Sequence, residues 1–300
     1  MRIGDEVSRA LAQGRPVLAC ESTIVTHGLP RPRNLEVATE AEQLIRSLGT
    51  VPATIGVLDG EVVVGLSARE LERLASDPDT VKLSARDLPV ACATGASGGT
   101  TVAATAHLAH RAGIRVFATG GLGGVHRGAS STFDESADLP ALARLPIVVV
   151  SAGVKSVLDI PATLERMETL GISVAGYRTH AFPGFYVADS GHTVAQRVES
   201  PEQVAVAWRH ARHLGLSSAL VVANPVPADE QLPPAEHETA LADALKALAE
   251  AGITGQDATP FLLQRVRDAT GDRSLAVNVA VYRNNVTLGA RVAAALATGD

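Results

Sequence analysis

Lysine is scarce in this sequence. Of the 26 Lys and Arg residues in 300, only Lys82, Lys155 and Lys246 are lysine. Where any positive charge would do, the chain uses arginine, so each lysine calls for a reason. Cysteine is scarcer still. Cys20 and Cys92 both close apolar, strand-like runs, which predicts two buried free thiols in a reducing cytoplasm rather than a disulfide framework. Aromatic residues make up 3%. No stretch approaches ~18 uninterrupted apolar residues, so no segment reads as a membrane span. The net charge is −6 and no basic run is present, which argues against nucleic acid or an anionic membrane as the main partner and leaves a small molecule. The opening MRIGDEVSRALAQGRP is charged and amphipathic, without the apolar core of a secretory signal.

What is present is short apolar runs alternating with amphipathic stretches of helical length. Strands are predicted at 16–20, 54–58, 61–65, 89–93, 115–119, 146–151, 173–177 and 218–223. Helices are predicted at 34–48, 67–76, 99–112, 161–170, 201–214, 236–251, 259–269 and 273–297. This alternation predicts an α/β fold with a largely parallel sheet covered by helices on both faces. The Pro-rich stretch 224–235 is the best loop candidate, and residues 1–300 read as a single domain.

In such sheets ligands bind beyond the carboxyl ends of strands. Small, polar and ionisable residues gather there: ESTIVTHG after 20, TGASGGTT after 93, GGLGGVHRG after 119, AGVKS after 151 and NPVP after 223. They predict one site assembled from several loops. Gly95, Gly98 and Gly99 lead to Thr100 and Thr101, which suits either a phosphate at a helix start or a tight turn. His126 and Arg127 offer charge after a run of glycines, for an anion or for solvent. Asp134, Glu135 and Asp138 suit a hard divalent cation, or a loop with a helix cap. His107/His110 and His210/His213 read as helix-surface residues. Tyr177, Phe182, Phe185 and Tyr186 read either as a platform for a flat base or as loop packing.

Glu21 and Lys155 carry the chemistry. A carboxylate closing an apolar strand is desolvated, which raises its pKa and suits general-acid work, unless it is a structural carboxylate bonded to the backbone or an Arg. A partly buried lysine yields a neutral amine that forms an imine with a sugar aldehyde carbon, which a permanently charged guanidinium cannot do. The other reading of Lys155 is a strand-end lysine with its ammonium in solvent.

The segments ESTIVTHGLPRPRN (21–34), VPATIGVLDG (51–60), RVFATGGLGGVHRG (115–128), SADL (136–139), SAGVKSVLDI (151–160) and VANPVP (222–227) resemble the pseudouridine-5′-phosphate glycosidase family, also called indigoidine synthase A-like. The likeness covers nearly the whole chain. It implies a three-layer α/β/α fold with a mixed sheet, a homotrimer, and reversible cleavage of pseudouridine 5′-phosphate to uracil and ribose 5-phosphate with a divalent metal, commonly Mn²⁺. It makes Lys155 the nucleophile and Glu21 the proton donor. It puts the metal on Asp134 and substrate contacts on Lys82, Val102, Ser136, Ala137, Asp138 and Asn278. Thr101 and His126 join them on the residue reading above. Thr26 stands where the family often has alanine. Two alternatives stay open. One is a class I aldolase-like Schiff-base enzyme on a phosphorylated sugar, although the eight repeats of a β/α barrel are not found. The other is a non-catalytic sugar-phosphate binder.

Overall fold

The computed structural model describes residues 1–253 and 258–298. The main sheet runs in the order Arg2–Ile3, Glu61–Val64, Val51–Leu58, Val17–Cys20, Val116–Ala118, Val148–Ser151, Leu220–Ala223, Ser173–Tyr177 and Gln196–Val198. Val81–Leu83 and Gly98–Thr100 branch from Val51–Leu58 and bring the sheet to 11 strands. Within this sheet, among the described residues, only the pairings of Val51–Leu58 with Glu61–Val64 and with Gly98–Thr100 are antiparallel. The first is closed by Asp59-Gly60, whose φ values of 49° and 77° suit a two-residue hairpin turn. This is an open, mixed sheet, not the closed barrel an aldolase of the β/α type would need.

Alternation along the central strands explains the layers. Val17, Ala19, Phe117, Val149, Val221 and Ala223 point into one core with Ala104, Leu108, Leu139, Leu142 and Met167. Leu18, Cys20, Val116, Val148, Val150 and Val222 point into the other with Val37, Ile45, Val204, Val286 and Leu296. Helices Val102–Arg111, Asp138–Leu142 and Ile160–Thr169 therefore cover one face, and Arg33–Ser47, Pro201–His213 and Arg273–Ala297 the other. A strand with both faces buried reads as a continuous apolar run, which is why these strands were legible. The expected three-layer α/β/α architecture with a mixed, largely parallel sheet is what forms.

Residue 89–93 is not a strand. Leu88–Thr94 is a helix with Pro89 in its first turn and Gly95 closing it at φ 73°. A five-residue apolar run carries too little periodicity to separate the two states. Val90 is 66% exposed, and Cys92 is exposed as well, against expectation, because it lies on the outer face of this helix. Cys20 is buried, and desolvation pushes its thiol up to about 12. The helix predicted at 99–112 starts at Val102, since Gly98–Thr100 is a strand. Its glycines serve close packing: a Cβ on Gly98 would lie 2.3 Å from the Val81 carbonyl oxygen, and one on Gly99 would lie 2.2 Å from Thr26 Oγ1. No helix among the described residues is long and apolar enough to cross a membrane.

Register then places the site. Cys20 pairs with Ala118, Ala118 with Val150, and Ser151 with Ala223. The chains leaving these strands, at Glu21, Thr119, Ala152 and Asn224, emerge side by side along one edge.

Candidate active site

At that edge lies a cleft of about 440 Å³ whose walls include Glu21, His27, Lys82, Gly120, Gly121, Lys155, Phe185, Tyr186 and Asn278, with Leu263, Gln264 and Arg267 from the helix Ala258–Thr270. A larger depression of about 660 Å³ is lined by Arg2, Glu6, Glu42, Arg46 and Glu70. Those charges are engaged with one another, Arg2 with Glu70 and Arg46 with Glu6 and Glu42, so the smaller cleft is the better candidate for chemistry.

Each cleft residue is held by its own element. Ser22 and Thr23 anchor the segment after Val17–Cys20. Ser22 Oγ donates to the Ile55 carbonyl at 2.6 Å and accepts from Thr100 N at 3.0 Å, and Thr23 Oγ1 donates to the Thr100 carbonyl at 2.8 Å. A π-helical turn, Ile24–Gly28, follows and is pinned by buried Asn34, which donates to the carbonyls of Val25 at 2.7 Å and Ala75 at 3.0 Å. Lys155 sits past Gly153 (φ 75°), with its N–H donating to the Leu122 carbonyl at 3.1 Å. A Cβ on Gly121 would lie 2.6 Å from the Phe185 ring and 3.5 Å from Lys155 Cγ, so only glycine lets this loop lie against both. Phe185 itself takes a left-handed φ of 63°, with its N–H donating to the Ala152 carbonyl at 3.1 Å. It meets Tyr186 edge to face at 4.7 Å. Of the four clustered aromatics these two line the cleft, while Phe182 is core and Tyr177 carries the Arg178 guanidinium.

The electrostatics join the cleft to its flank. Glu21 is 8% exposed, and its carboxylate accepts a hydrogen bond from the Thr119 hydroxyl. Burial pushes its pKa up. Lys155, Thr119 and Lys82 pull the other way, and Asp138 adds to the rise. Burial also lowers Lys82, reinforced by the charge of Lys155 and opposed by Asp138 and Glu21. His126 is lowered by burial, with Asp134 opposing and Lys82 and Lys155 reinforcing. Each of these groups therefore feels the lysines of the cleft.

Glu21, Lys82, Lys155 and Asn278 come together in the walls as the sequence reading expects. Val102, Thr101, Ser136, Ala137, Asp138, His126 and Asp134 do not line the cleft. Of these, Ser136 and Asp138 bond the segment 120–124, through Gly124 and Gly123. Asp138 is a buried brace: its two carboxylate oxygens accept from Ala103 N at 2.9 Å and Gly123 N at 2.8 Å. Thr101 caps the helix Val102–Arg111, accepting from Ala104 N at 3.5 Å. The helix start is thus already engaged at Ala103 and Ala104, which narrows the phosphate cradle expected there to the Val102 end. Ser136 Oγ accepts from Asp138 N at 3.2 Å, and Gly123 is pressed against it. The acidic trio does not converge. Glu135 pairs with Arg166 at 2.8 Å, and Asp134 lies 3.6 Å from His126 Nδ1. Among the described residues no three His, Cys, Asp or Glu side chains gather to hold a metal. A single part-exposed carboxylate such as Asp134 still suits a hard cation that keeps most of its waters. Arg127 is exposed.

Residues 6–295 match the model of the family described as indigoidine synthase A like protein. The chain belongs to this family. It is 62% identical to a pseudouridine-5′-phosphate glycosidase of Saccharopolyspora erythraea over 98% of this chain and 97% of the relative. It is 59% identical to one of Salinispora tropica over 99% and 92%. A crystal structure of a prealnumycin C-glycosynthase in complex with ribulose 5-phosphate superposes with a TM-score of 0.92 at 36% identity, covering 99% of this chain and 96% of that one. An indigoidine synthase A-like protein of Thermotoga maritima superposes at 0.88 with 38% identity, covering 95% and 94%.

Sequence reasoning missed several residues of this family member's site. Thr119, which donates to Glu21, and His27 and Arg267, which line the cleft, were not singled out, nor was Asn285, whose Nδ2 donates to the Thr119 carbonyl. One signal was available: Asn278 and Asn285 stand seven residues apart on a long apolar helix, so both fall on one face of it.

Proposed function

We propose that this chain reversibly cleaves the C–C glycosidic bond of pseudouridine 5′-phosphate, giving uracil and ribose 5-phosphate through an imine on Lys155. The observation that carries the proposal is that Lys155 and a buried Glu21, whose pKa burial raises, share the walls of one cleft. Its relatives are named for the same reaction, and the structural neighbour holds a pentulose phosphate.

The chemistry follows from a poor leaving group. An ordinary glycosidase expels a heteroatom between two carboxylates, whereas here a carbon must leave. Glu21 gives a proton to the ribose ring oxygen while the Lys155 amine attacks C1′ and the C1′–O bond breaks. The amine nitrogen sheds one proton. Uracil C5 then takes up a proton, the C1′–C5 bond breaks, and the nitrogen lone pair forms the C1′ imine. Water hydrolyses the imine to ribose 5-phosphate and restores the lysine, so one water is consumed for each bond cleaved. Lys82, with Ser136 and the Val102 end on the flank, would hold the 5′-phosphate. Ala137 and Asp138 would hold the sugar side, and Asn278 the base between the walls. Asp134, beside His126, would hold Mn²⁺ or another hard divalent ion, which when bound supplies positive charge against the phosphate. The proposal extends to a homotrimer, on the strength of the family likeness, which light scattering checks, and to a reducing cytoplasm, which the unpaired Cys20 and Cys92 suit.

The test is to incubate the protein with ribose 5-phosphate, reduce with borohydride and map the adduct. Sugar on Lys155, with Lys155→Arg inactive in cleavage, is the expected result. An adduct only on Lys82 or Lys246, or none, defeats the mechanism. Condensation of uracil with ribose 5-phosphate separates this activity from an aldolase, and adduct formation separates it from a binder.

A further inference from the structure

The mechanism gives no part to a fully buried amide in the helix behind the cleft. Asn285, in the helix Arg273–Ala297, is 0% exposed. Its Nδ2 donates to two successive carbonyls, Thr119 at 2.8 Å and Gly120 at 3.1 Å. Its Oδ1 accepts from Asn224 Nδ2 at 3.0 Å. Two carbonyl acceptors on one end and an amide donor on the other fix which end is nitrogen, and they use both of its N–H groups. Asn224 is itself tied to the sheet, its N–H donating to the Ser151 carbonyl at 2.8 Å. The bridge therefore runs from the end of one strand, through a helix, to the end of another.

What the bridge grips is the exit from Val116–Ala118. Thr119 N donates to the Val150 carbonyl at 3.0 Å and Ala152 N donates to the Gly120 carbonyl at 2.9 Å. With Asn285 on the carbonyls of Thr119 and Gly120, the peptide units on both sides of Thr119 are held. The Thr119 side chain is thereby aimed at Glu21, to which its hydroxyl donates. Gly120 and Gly121, the next residues, form the cleft wall beside Lys155 and Asn278. Nothing in local folding requires this arrangement. A glycine-rich exit from a strand has many accessible conformations, and a carboxylate held by one threonine hydroxyl is only as well placed as that threonine.

The geometry points to Asn285 as a positioning residue for cleavage, acting on the acid Glu21 through Thr119, with Asn224 as its latch. The inference rests on the roles given above to Glu21 and Lys155. It predicts a division of labour. Protonating the ring oxygen depends on Glu21 and hence on Asn285. Imine formation with free ribose 5-phosphate, which already samples the open aldehyde, does not.

The experiment uses the full-length protein and the variant Asn285→Ser, which is too short to reach both carbonyls. The kcat for pseudouridine 5′-phosphate should fall about 10²-fold, the scale of a misplacement near 1 Å. KM should stay within a few fold, and borohydride should trap ribose 5-phosphate on Lys155 to the wild-type extent. In a Glu21→Gln background, Asn285→Ser should cost no further cleavage, because two steps of one path do not add. A folded Asn285→Ser protein with wild-type kcat overturns the inference. Trapping that falls in parallel with cleavage overturns it too, as does a full additional loss in the Glu21→Gln background. If Asn285→Ser does not fold, Asn224→Ala removes only the latch and should show the same split at about tenfold. Wild-type behaviour there refutes the inference. Absence of any adduct in the wild-type protein defeats instead the reading of Lys155 on which it rests.

Discussion

Replacing Glu21 by glutamine separates its two costs, one to catalysis and one to stability. The side chain is 8% exposed and receives the Thr119 hydroxyl. Glutamine keeps the volume and an acceptor oxygen for Thr119, and removes the acidic proton. Cleavage of pseudouridine 5′-phosphate should therefore drop by at least the ~10²–10⁴-fold typical of removing a general acid. The imine between Lys155 and ribose 5-phosphate should survive, since an open aldehyde needs no ring-oxygen protonation. Stability should move the other way. Burial raises the folded-state pKa of Glu21 above its unfolded value, so the folded protein holds more protons between the two, and stability falls as pH rises through that window. Glu21→Gln has no such loss. Thermal unfolding should show it at least as stable as the wild type at pH 8, with the advantage disappearing below the unfolded carboxyl pKa. Cleavage kinetics, borohydride trapping with mass spectrometry, and calorimetry at the two pH values make up the assay. Near-wild-type cleavage would mean that Glu21 is a structural carboxylate. A folded variant that traps no sugar even on long incubation would mean that Glu21 serves Lys155 directly.

Lys82→Met should lower kcat/KM for the 5′-phosphate about 10–100-fold, the value of one charge-assisted contact of ~1.5–3 kcal/mol, while leaving the poor activity on pseudouridine itself unchanged; equal losses on both substrates would refute a phosphate contact. Chelator-treated protein should lose activity and regain it with Mn²⁺, and Asp134→Ala should weaken Mn²⁺ binding measured by titration calorimetry; full activity without metal, or unchanged affinity in the variant, contradicts the assignment. Asn34→Ala strands the buried Val25 carbonyl under the π-helical turn and should cost about 1–3 kcal/mol in urea unfolding; a change below about 0.5 kcal/mol would show that water replaces the amide.

Some of this protein is determined by its sequence alone. The central strands were legible because a parallel strand buried on both faces is an unbroken apolar run, and their helices because caps and periodicity are local. Ser67 and Glu70 form a capping box at the start of Ala68–Ser76, and Asp159 caps Ile160–Thr169. Lys155 and Glu21 stood out for the same reason, as single ionisable residues at the ends of such runs. Local signals failed where the run was short, at 88–94, and where one residue type serves two purposes. Asp138, which suited a cation ligand or a helix cap, also accepts from two backbone amides, Ala103 and Gly123, that no local pattern records. The glycines at 98–99 suited either a phosphate at a helix start or a tight turn, and they are sites of close packing. What only the tertiary structure decided are contacts between distant positions: Thr119 on Glu21, Asn285 on Thr119 and Gly120, Lys82 in the wall beside Lys155. No periodicity records them, because each is a hydrogen bond or a charge pair made when strands far apart in the chain end side by side. The chemistry is written in single residues, and its alignment exists only once the sheet has brought their ends into register.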